Sequence, residues 1–335
     1  MTRSICFAAF LALASLGRAG WLPEERLTER PDRPDRTCLN NARAAAFDPA
    51  GNLHVVWAGD SGGRPQAWYS HRDAASGVWS PHELISDGAS GARYPCLASD
   101  DEGGVHVAWS TADSSAVQYR RRAPTGSWGF LETIPAGDTC FAPSLGCGRD
   151  DSVFVAWSSG PPSGIQDVFM AARGASGWGE AVRLSRQVSG HRCTKPALVA
   201  SAQGEVAVVW QVYSGSPPII CFRLREDAGW SRVDTLALDY KCREPSLFLD
   251  SQGVVHSAWL RELPGGSRWA LVYRQRRDGA WGDTAQLPQF ERNPGPGSVS
   301  VDGTGSVHVV FVADPGLASS QLFHIRGDSL GRNWS

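Results

Sequence analysis

The sequence predicts an all-β protein: a six-bladed β-propeller with four antiparallel strands per blade, its ring closed by an amino-terminal strand that completes the last blade. The first observation behind this is a strand written six times. It reads GNLHVVW (Gly51–Trp57), GGVHVAW (Gly103–Trp109), DSVFVAW (Asp151–Trp157), GEVAVVW (Gly204–Trp210), GVVHSAW (Gly253–Trp259) and GSVHVVF (Gly305–Phe311). The strand-ending aromatics recur at intervals of 52, 48, 53, 49 and 52 residues, and a period near fifty marks a propeller, solenoid or array. The second is composition: 14 Trp, 37 Gly and 21 Pro with only 20% charged residues favour aromatic-packed strands joined by tight turns over helices. The third is an incomplete last unit, which the start of the chain supplies.

Within each unit the elements follow a constant order. A short first strand resembles YPCLASD (Tyr94–Asp100), APSLGCG, KPALVAS or EPSLFLD. A turn leads to the repeated second strand, and a third follows as WYSHR, VQYRRR, DVFMAAR, IICFRLR, LVYRQRR or QLFHIRG. A glycine-rich turn then brings a second tryptophan, at Trp79, Trp128, Trp178, Trp230 and Trp281, and a fourth strand such as GEAVRLS. Stacked in a ring, such four-stranded units bury faces that a lone unit exposes. The sixth unit runs out at Trp334 and Ser335 before a fourth strand, while GWLPEERLT (Gly20–Thr28) repeats the pattern of GWGEAVRLS (Gly177–Ser185). The amino-terminal strand therefore completes blade six and protects its edge.

Residues 1–19 have the layout of a secretory signal: a basic start, an apolar run from Ile5 to Leu16 and small residues at a cleavage point near Ala19. The apolar run is too short to span a bilayer. The expected organisation is a signal peptide over 1–19 and one propeller domain over 20–335, secreted or periplasmic and monomeric. Cleavage removes Arg3 and Arg18, taking the formal charge from −2 to −4, a balance that gives no electrostatic reason to expect nucleic acid. No phosphate loop, serine-nucleophile motif or zinc-hydrolase helix is present, and no cofactor is expected.

RRDGAW (Arg276–Trp281) and DSLGRNW (Asp328–Trp334) echo the Asp-box turn S-x-D-x-G-x-T-W, the first compressed and the second one residue longer between Asp and Gly. On these turns and the sixfold period the chain resembles the six-bladed sialidase-like superfamily of BNR-repeat proteins. The resemblance covers nearly the whole mature chain and speaks for architecture, since one fold hosts many activities. It implies a ligand over the central channel, on the face formed by the loops entering each first strand and those between second and third strands. It also implies an arginine two residues before a proline that helps to hold a substrate carboxylate. Arg93-Tyr94-Pro95 and Arg243-Glu244-Pro245 fit that pattern, and Arg43 stands in the corresponding stretch of the first unit without its proline.

Guanidinium groups pair bidentately with carboxylates, so the ligand-binding candidates are Arg93, Arg243, Lys195 and Arg261. The resemblance would further need a tyrosine nucleophile backed by a glutamate, and an acid/base carboxylate. By loop position the catalytic candidates are Tyr240 or Tyr213, Glu244 or Glu262, and Asp60 or Asp113. Trp68 and Trp269, outside the repeat's own tryptophan positions, are the candidates for stacking on a sugar.

His54, His106, His256 and His308 recur at one strand position. Equivalent second-strand positions on neighbouring blades lie roughly 10 Å apart, too far for ligands about 2 Å from one metal ion, so packing between blades is expected. Cys140, Cys193 and Cys242 each precede a first-strand proline by three residues, with Cys38 in the matching stretch of unit one. A disulfide between adjacent entering loops is the expected use, with unpaired structural thiols the alternative and a metal or redox site a third possibility.

Three functional readings follow: an exported propeller binding a glycan or other extracellular ligand with an incomplete catalytic set, a sialidase-type exo-glycosidase acting on acidic sugars, and a protein-interaction module of the cell envelope. The last expects a large exposed apolar patch.

Overall fold

The computed structural model describes Glu25, Leu27, Thr28 and residues 43–335, apart from 137–138, 150, 162–163, 189, 214–217, 227–228, 238–240, 289–292 and 314–320. It is a six-bladed β-propeller of antiparallel strands, with one short 3-10 turn at Arg186–Val188 as the only helical element among the described residues. Blade 1 holds Ala45–Phe47, Leu53–Ser61, Arg64–Arg72 and Glu83–Leu84, and blade 2 holds Arg93–Ser99, Val105–Ser110, Val117–Arg122 and Glu132–Ile134. The first three strands of blade 3 are Cys140–Cys147, Val153–Ser159 and Asp167–Gly174. Those of blade 4 are Arg192–Ala200, Val206–Tyr213 and Ile219–Glu226, and those of blade 5 are Cys242–Leu249, Val255–Glu262 and Trp269–Arg277. In blades 3 to 5 the outer strand is split into two short pieces that both pair with the third strand. Blade 6 contributes Gly297–Val301, Val307–Ala313 and Gln321–Gly327.

The repeated second strand is the most deeply covered element of each blade. Trp109, Trp157, Trp210 and Trp259 are fully buried, and each joins a cluster of valine, leucine and alanine side chains between two sheets.

The recurring histidines are buried in blades 1, 2 and 5 and partly buried in blade 6, and they carry a hydrogen-bonded chain. In blades 1, 2, 5 and 6 the turn after the inner strand opens with Asp48, Asp100, Asp250 or Asp302. One carboxylate oxygen of each accepts backbone N–H groups of its own turn, as from Gly104 at 2.6 Å and Val254 at 2.8 Å. The other oxygen meets Nε2 of His54, His106, His256 or His308 at 2.9–3.2 Å. An ionised carboxylate only accepts, so Nε2 carries the proton and Nδ1 is the acceptor. The donor to Nδ1 is the hydroxyl of Tyr69, Tyr119 or Tyr273 at 2.6 Å, and in blade 6 it is Nε2 of His324 at 2.8 Å. Burial pushes all three tyrosines above the usual phenol range, keeping them neutral donors.

Blades 3 and 4 replace the chain as a set. Gly148, Phe154 and Met170 stand at the three positions in one, and Ser201, Ala207 and Phe222 in the other. Replacing all partners together leaves no orphaned polar group and costs little.

The same third-strand position joins consecutive blades. Tyr69 meets the turn tryptophan Trp128 of the next blade edge-on at 5.1 Å, Tyr119 meets Trp178 at 5.1 Å, Phe222 meets Trp281 at 5.0 Å and Tyr273 meets Trp334 at 5.2 Å. Three arginines clamp this joint. Nη1 of Arg120, Arg223 and Arg274 donates to the carbonyl of Ile85, Leu184 and Leu236 in the preceding blade, while each guanidinium lies over Trp128, Trp230 or Trp281 of its own. The Asp-box echo at Asp328 forms a turn in which that carboxylate accepts from the N–H of Leu330 and Arg332. Gly331 is required there: its φ is 65°, and a Cβ would stand 2.0 Å from the Tyr273 ring.

The segment expected to close the ring, Gly20–Thr28, lies mostly outside the described residues. Its described part fits the outer strand of blade 6. Glu25 accepts from Trp79 Nε1 at 2.7 Å as Glu83, in blade 1, accepts from Trp128 Nε1 at 2.7 Å in blade 2, and both glutamates follow a tryptophan by four residues. Leu27 packs on the Leu53, Val55 and Trp57 cluster.

Two outcomes are expected. Glu25→Ala and Glu83→Ala should lower stability by similar amounts, about 1 kcal/mol each for partly exposed bonds to a carboxylate, read from urea midpoints; a silent Glu25→Ala would separate the two contacts. Burial holds His54 and His256 below the usual 6.5, so the unfolded chain binds protons that the folded chain refuses. That stability is complete above pH 6.5 and falls as pH drops. Asp302, lowered from 3.8 to about 2, adds a second loss below pH 4. Melting temperatures across pH 8 to 3 should show both steps, and a flat profile between about pH 6.5 and 5 would rule out the first.

Candidate functional site

The inner strands reach the channel mouth through a repeated irregularity. Tyr94, Ala142, Lys195 and Glu244, in blades 2 to 5, have φ of 53–56°, and each immediately precedes a proline. Proline disfavours the right-handed helical region for the residue before it, and here that residue takes the left-handed one. The pairing register shifts at each site, between Arg93 and Cys96, Ala156 and Ser158, Thr194 and Ala197, and Arg243 and Ser246. A left-handed non-glycine residue costs roughly 1–2 kcal/mol and persists where its surroundings over-determine it. Two of the restraints are side chains from the preceding blade: Ser158 Oγ accepts from Lys195 N at 3.2 Å, and Gln211 Oε1 accepts from Glu244 N at 3.3 Å.

These bulges bring charge together at blades 4 and 5. Lys195 Nζ forms an ion pair with Glu244 Oε1 across the blade boundary, and Lys241 pairs with Glu262 at 3.1 Å. Arg243 lies over Trp269 with Cζ 3.9 Å from the ring centroid. Arg192 lies over Tyr213 at 5.5 Å and donates from Nε to Gln166 Oε1 at 3.1 Å. Arg261 donates to Gln286 at 3.0 Å. Gln211, 1% exposed, keeps its Nε2 donor without a hydrogen-bond partner among the described residues. The arc thus presents cations backed by aromatic faces, an arrangement suited to an oxygen-rich ligand.

The remaining candidates lie apart from this arc. Arg93 is exposed on the inner strand of blade 2, three blades round the ring from Arg243. Asp60 accepts from Gly63 N at 3.1 Å in the hairpin of blade 1. Asp113 accepts from Thr111 Oγ1, Ser115 N and Ser115 Oγ, bonds that hold its carboxyl at about 2; it is ionised at neutral pH and unsuited to donating a proton. Trp68 bonds the Gly59 carbonyl at 3.3 Å. Tyr240 lies outside the described residues.

The cysteines depart from the disulfide expectation. Among the described residues no disulfide joins Cys140, Cys193 and Cys242. They are strand residues rather than loop residues, pairing with Ser159, Val212 and Arg261. Each is buried in a different blade interface beside Trp157, Trp210 or Trp259. Burial pushes the Cys193 thiol up to about 12, which suppresses thiolate chemistry. Cys38 lies outside the described residues. Sequence reasoning missed Ser158 and Gln211, whose only signal is a polar residue directly after the strand-ending tryptophan.

No protein-family model matches the chain, and no curated protein matches it. Solved structures do. The chain is similar to a polysaccharide lyase, the PL25 ulvan lyase bound to -[GlcA(1-4)Rha3S]-, at 12% identity and a TM-score of 0.64 over 90% of this chain and 84% of that one. It is similar to an α-L-arabinanase of Penicillium chrysogenum complexed with arabinobiose, at 14% identity and a TM-score of 0.59 over 89% and 99%. It is similar also to the Aleuria aurantia lectin in complex with Fucα1-6GlcNAc, at 13% identity and a TM-score of 0.56 over 90% and 96%. At these identities the likeness shows the shared propeller fold alone. No helix among the described residues is long and apolar enough to cross a membrane.

The bulges generate a specific expectation. Ala142→Gly should be neutral or stabilising by up to about 1 kcal/mol, because glycine relieves the left-handed cost. Ala156→Gly, in the adjacent second strand, should destabilise by about 1 kcal/mol. Urea denaturation of both variants decides it, and equal losses would remove the strain argument.

Proposed function

We propose that this chain is an exported propeller that binds an acidic glycan over the channel mouth, on the arc formed by blades 4 and 5. The observation that carries the reading is that arc itself: Arg243 on Trp269, Arg192 on Tyr213 and the Lys195–Glu244 pair, set on strained bulges at the ends of adjacent inner strands. Stacked guanidinium groups keep their in-plane donors for carboxylate or hydroxyl oxygens. Structural likeness to a polysaccharide lyase, an arabinanase and a lectin supports a carbohydrate ligand. Export rests on the signal-like segment 1–19, and a sialidase-type relationship rests on the Asp-box echoes and the two R-x-P stretches.

Binding is favoured over cleavage because the described carboxylates at the mouth are engaged locally. Glu244 and Glu262 neutralise lysines, and Asp113 is held ionised by its own turn. A glycoside hydrolase needs one carboxyl protonated near neutral pH. Exposed large apolar side chains are spread over blades 1, 2, 3, 4 and 6, among them Leu84, Phe130, Val182 and Leu322, which does not favour a single protein-docking patch.

A glycan array containing sialylated, uronate and neutral sugars tests the reading. Selective binding to acidic glycans is expected, with Arg243→Ala weakening it at least tenfold and Arg93→Ala measuring the contribution of the opposite wall. Absence of binding to any sugar would overturn it. Release of reducing sugar from a bound glycan would instead move the assignment to a hydrolase or lyase.

A further inference from the structure

We infer that Asn293 is a positioning residue of the arc: it reaches from blade 6 into blade 5 and fixes Trp269, the residue over whose ring Arg243 lies. What the arc binds rests on the acidic-glycan reading, whereas the positioning itself is read from the contacts.

One joint is repeated round the mouth. The hairpin between the second and third strands of a blade offers a backbone carbonyl to the stretch that enters the next blade. Pro65 accepts from Ala92 N at 2.7 Å, Ser114 from Cys140 N at 2.7 Å, Gln166 from Cys193 N at 2.8 Å and Pro218 from Cys242 N at 2.8 Å. The stretch entering blade 6, Asn293-Pro294-Gly295-Pro296, is short of donors for this bond. Its two prolines have no N–H, and Gly295 N donates to Val312 O of its own blade at 2.6 Å. The Asn293 side chain takes over the role: Nδ2 donates to the Ser267 carbonyl, in the hairpin of blade 5, at 3.2 Å.

The same amide makes a second bond, and that bond falls on the arc. Oδ1 of Asn293 accepts from Trp269 N at 2.6 Å. Trp269 opens the third strand of blade 5 and packs against the core between blades 5 and 6. Arg243 lies over its ring with Cζ 3.9 Å from the centroid, a separation of van der Waals contact, so the indole sets where the guanidinium can lie. A two-oxygen grip on a carboxylate depends on the orientation of the guanidinium plane. An arginine placed before the ligand arrives also loses less side-chain freedom on binding. Arg192, the other stacked cation, is held by an amide from its own neighbour: Gln166 of blade 3 accepts from Arg192 Nε at 3.1 Å and donates from Nε2 to Pro161 O at 2.9 Å. The arc is thus braced from both flanking blades.

Asn293 is exposed, so Asn293→Ala leaves no buried group orphaned and should melt within about 3 °C of the parent. Two measurements on the full chain test its role. In the first, fluorine NMR of fluorotryptophan-labelled protein follows the Trp269 line, assigned by its loss in Trp269→Phe. Asn293→Ala should move or broaden that line, as Arg243→Ala does, and leave the other indole lines in place. In the second, isothermal titration uses trigalacturonate and sialyllactose as acidic probes and maltotriose as the neutral one. Asn293→Ala should weaken acidic binding about fivefold, and should add nothing further once Trp269→Phe has removed the indole, the mark of two residues acting through one contact. An unmoved Trp269 line, additive losses in the double variant, or binding equal to the parent's would overturn the inference. So would a shift of all the indole lines together with a matching fall in melting temperature, which would make Asn293 a general structural residue. A parent that binds none of the probes, with the Trp269 line displaced in both Asn293→Ala and Arg243→Ala, would remove the glycan reading and leave the positioning role standing.

Discussion

The joints between blades depend on one contact chain, which in blades 1, 2 and 5 runs from a turn carboxylate through a histidine and a tyrosine to a tryptophan packed on the far side. In blade 2 it reads Asp100, His106, Tyr119 and Trp178. Each link fixes a different scale of structure. The carboxylate closes the turn, the histidine ties that turn to the second strand, the tyrosine ties the second strand to the third, and the edge-on ring contact ties the third strand to the following sheet. Asp100, His106 and Tyr119 are buried and their polar atoms are hydrogen-bonded to one another, so this part of the chain specifies one arrangement. Blades 3 and 4 show the alternative, in which all the polar members are exchanged for small or apolar residues.

Much of the architecture was legible because it is periodic. The strand-ending aromatics mark the blades, and the four recurring histidines stand where the repeat puts them. The aspartate partners were harder to see: they lie six residues upstream in a turn, and turn residues such as Asp48 and Asp250 look like ordinary surface acids until the fold brings them under the histidine. The closing segment was legible from GWLPEERLT, and Glu25 repeats the bond of Glu83.

The mouth was less legible, for a physical reason. A bulge adds a residue and reorients the chain around it, so positions counted back from the proline do not keep the strand's simple alternation. Cys140, Cys193 and Cys242 were read as loop residues able to reach one another, whereas they lie inside paired strands and face separate interfaces. Lys195 and Glu244, read as separate candidates, are neighbours because each occupies the same strained position on adjacent blades. Arg43 has no proline after it, and its guanidinium lies over Phe248 of blade 5, a contact that no local spacing encodes.

The seam at Glu25 has a consequence for how the molecule comes into being. Five blades are built from contiguous segments and can pair as local hairpins, which form fast. The sixth is described here by three strands, and the residue that mimics the outer-strand contact on its far side comes from the start of the chain, about 300 residues away. Ring completion therefore waits for the slowest, least local encounter in the molecule. Until it occurs, the first and last sheets keep unshielded edges, and this interval is the stage at which the chain is most exposed to pairing with another copy of itself.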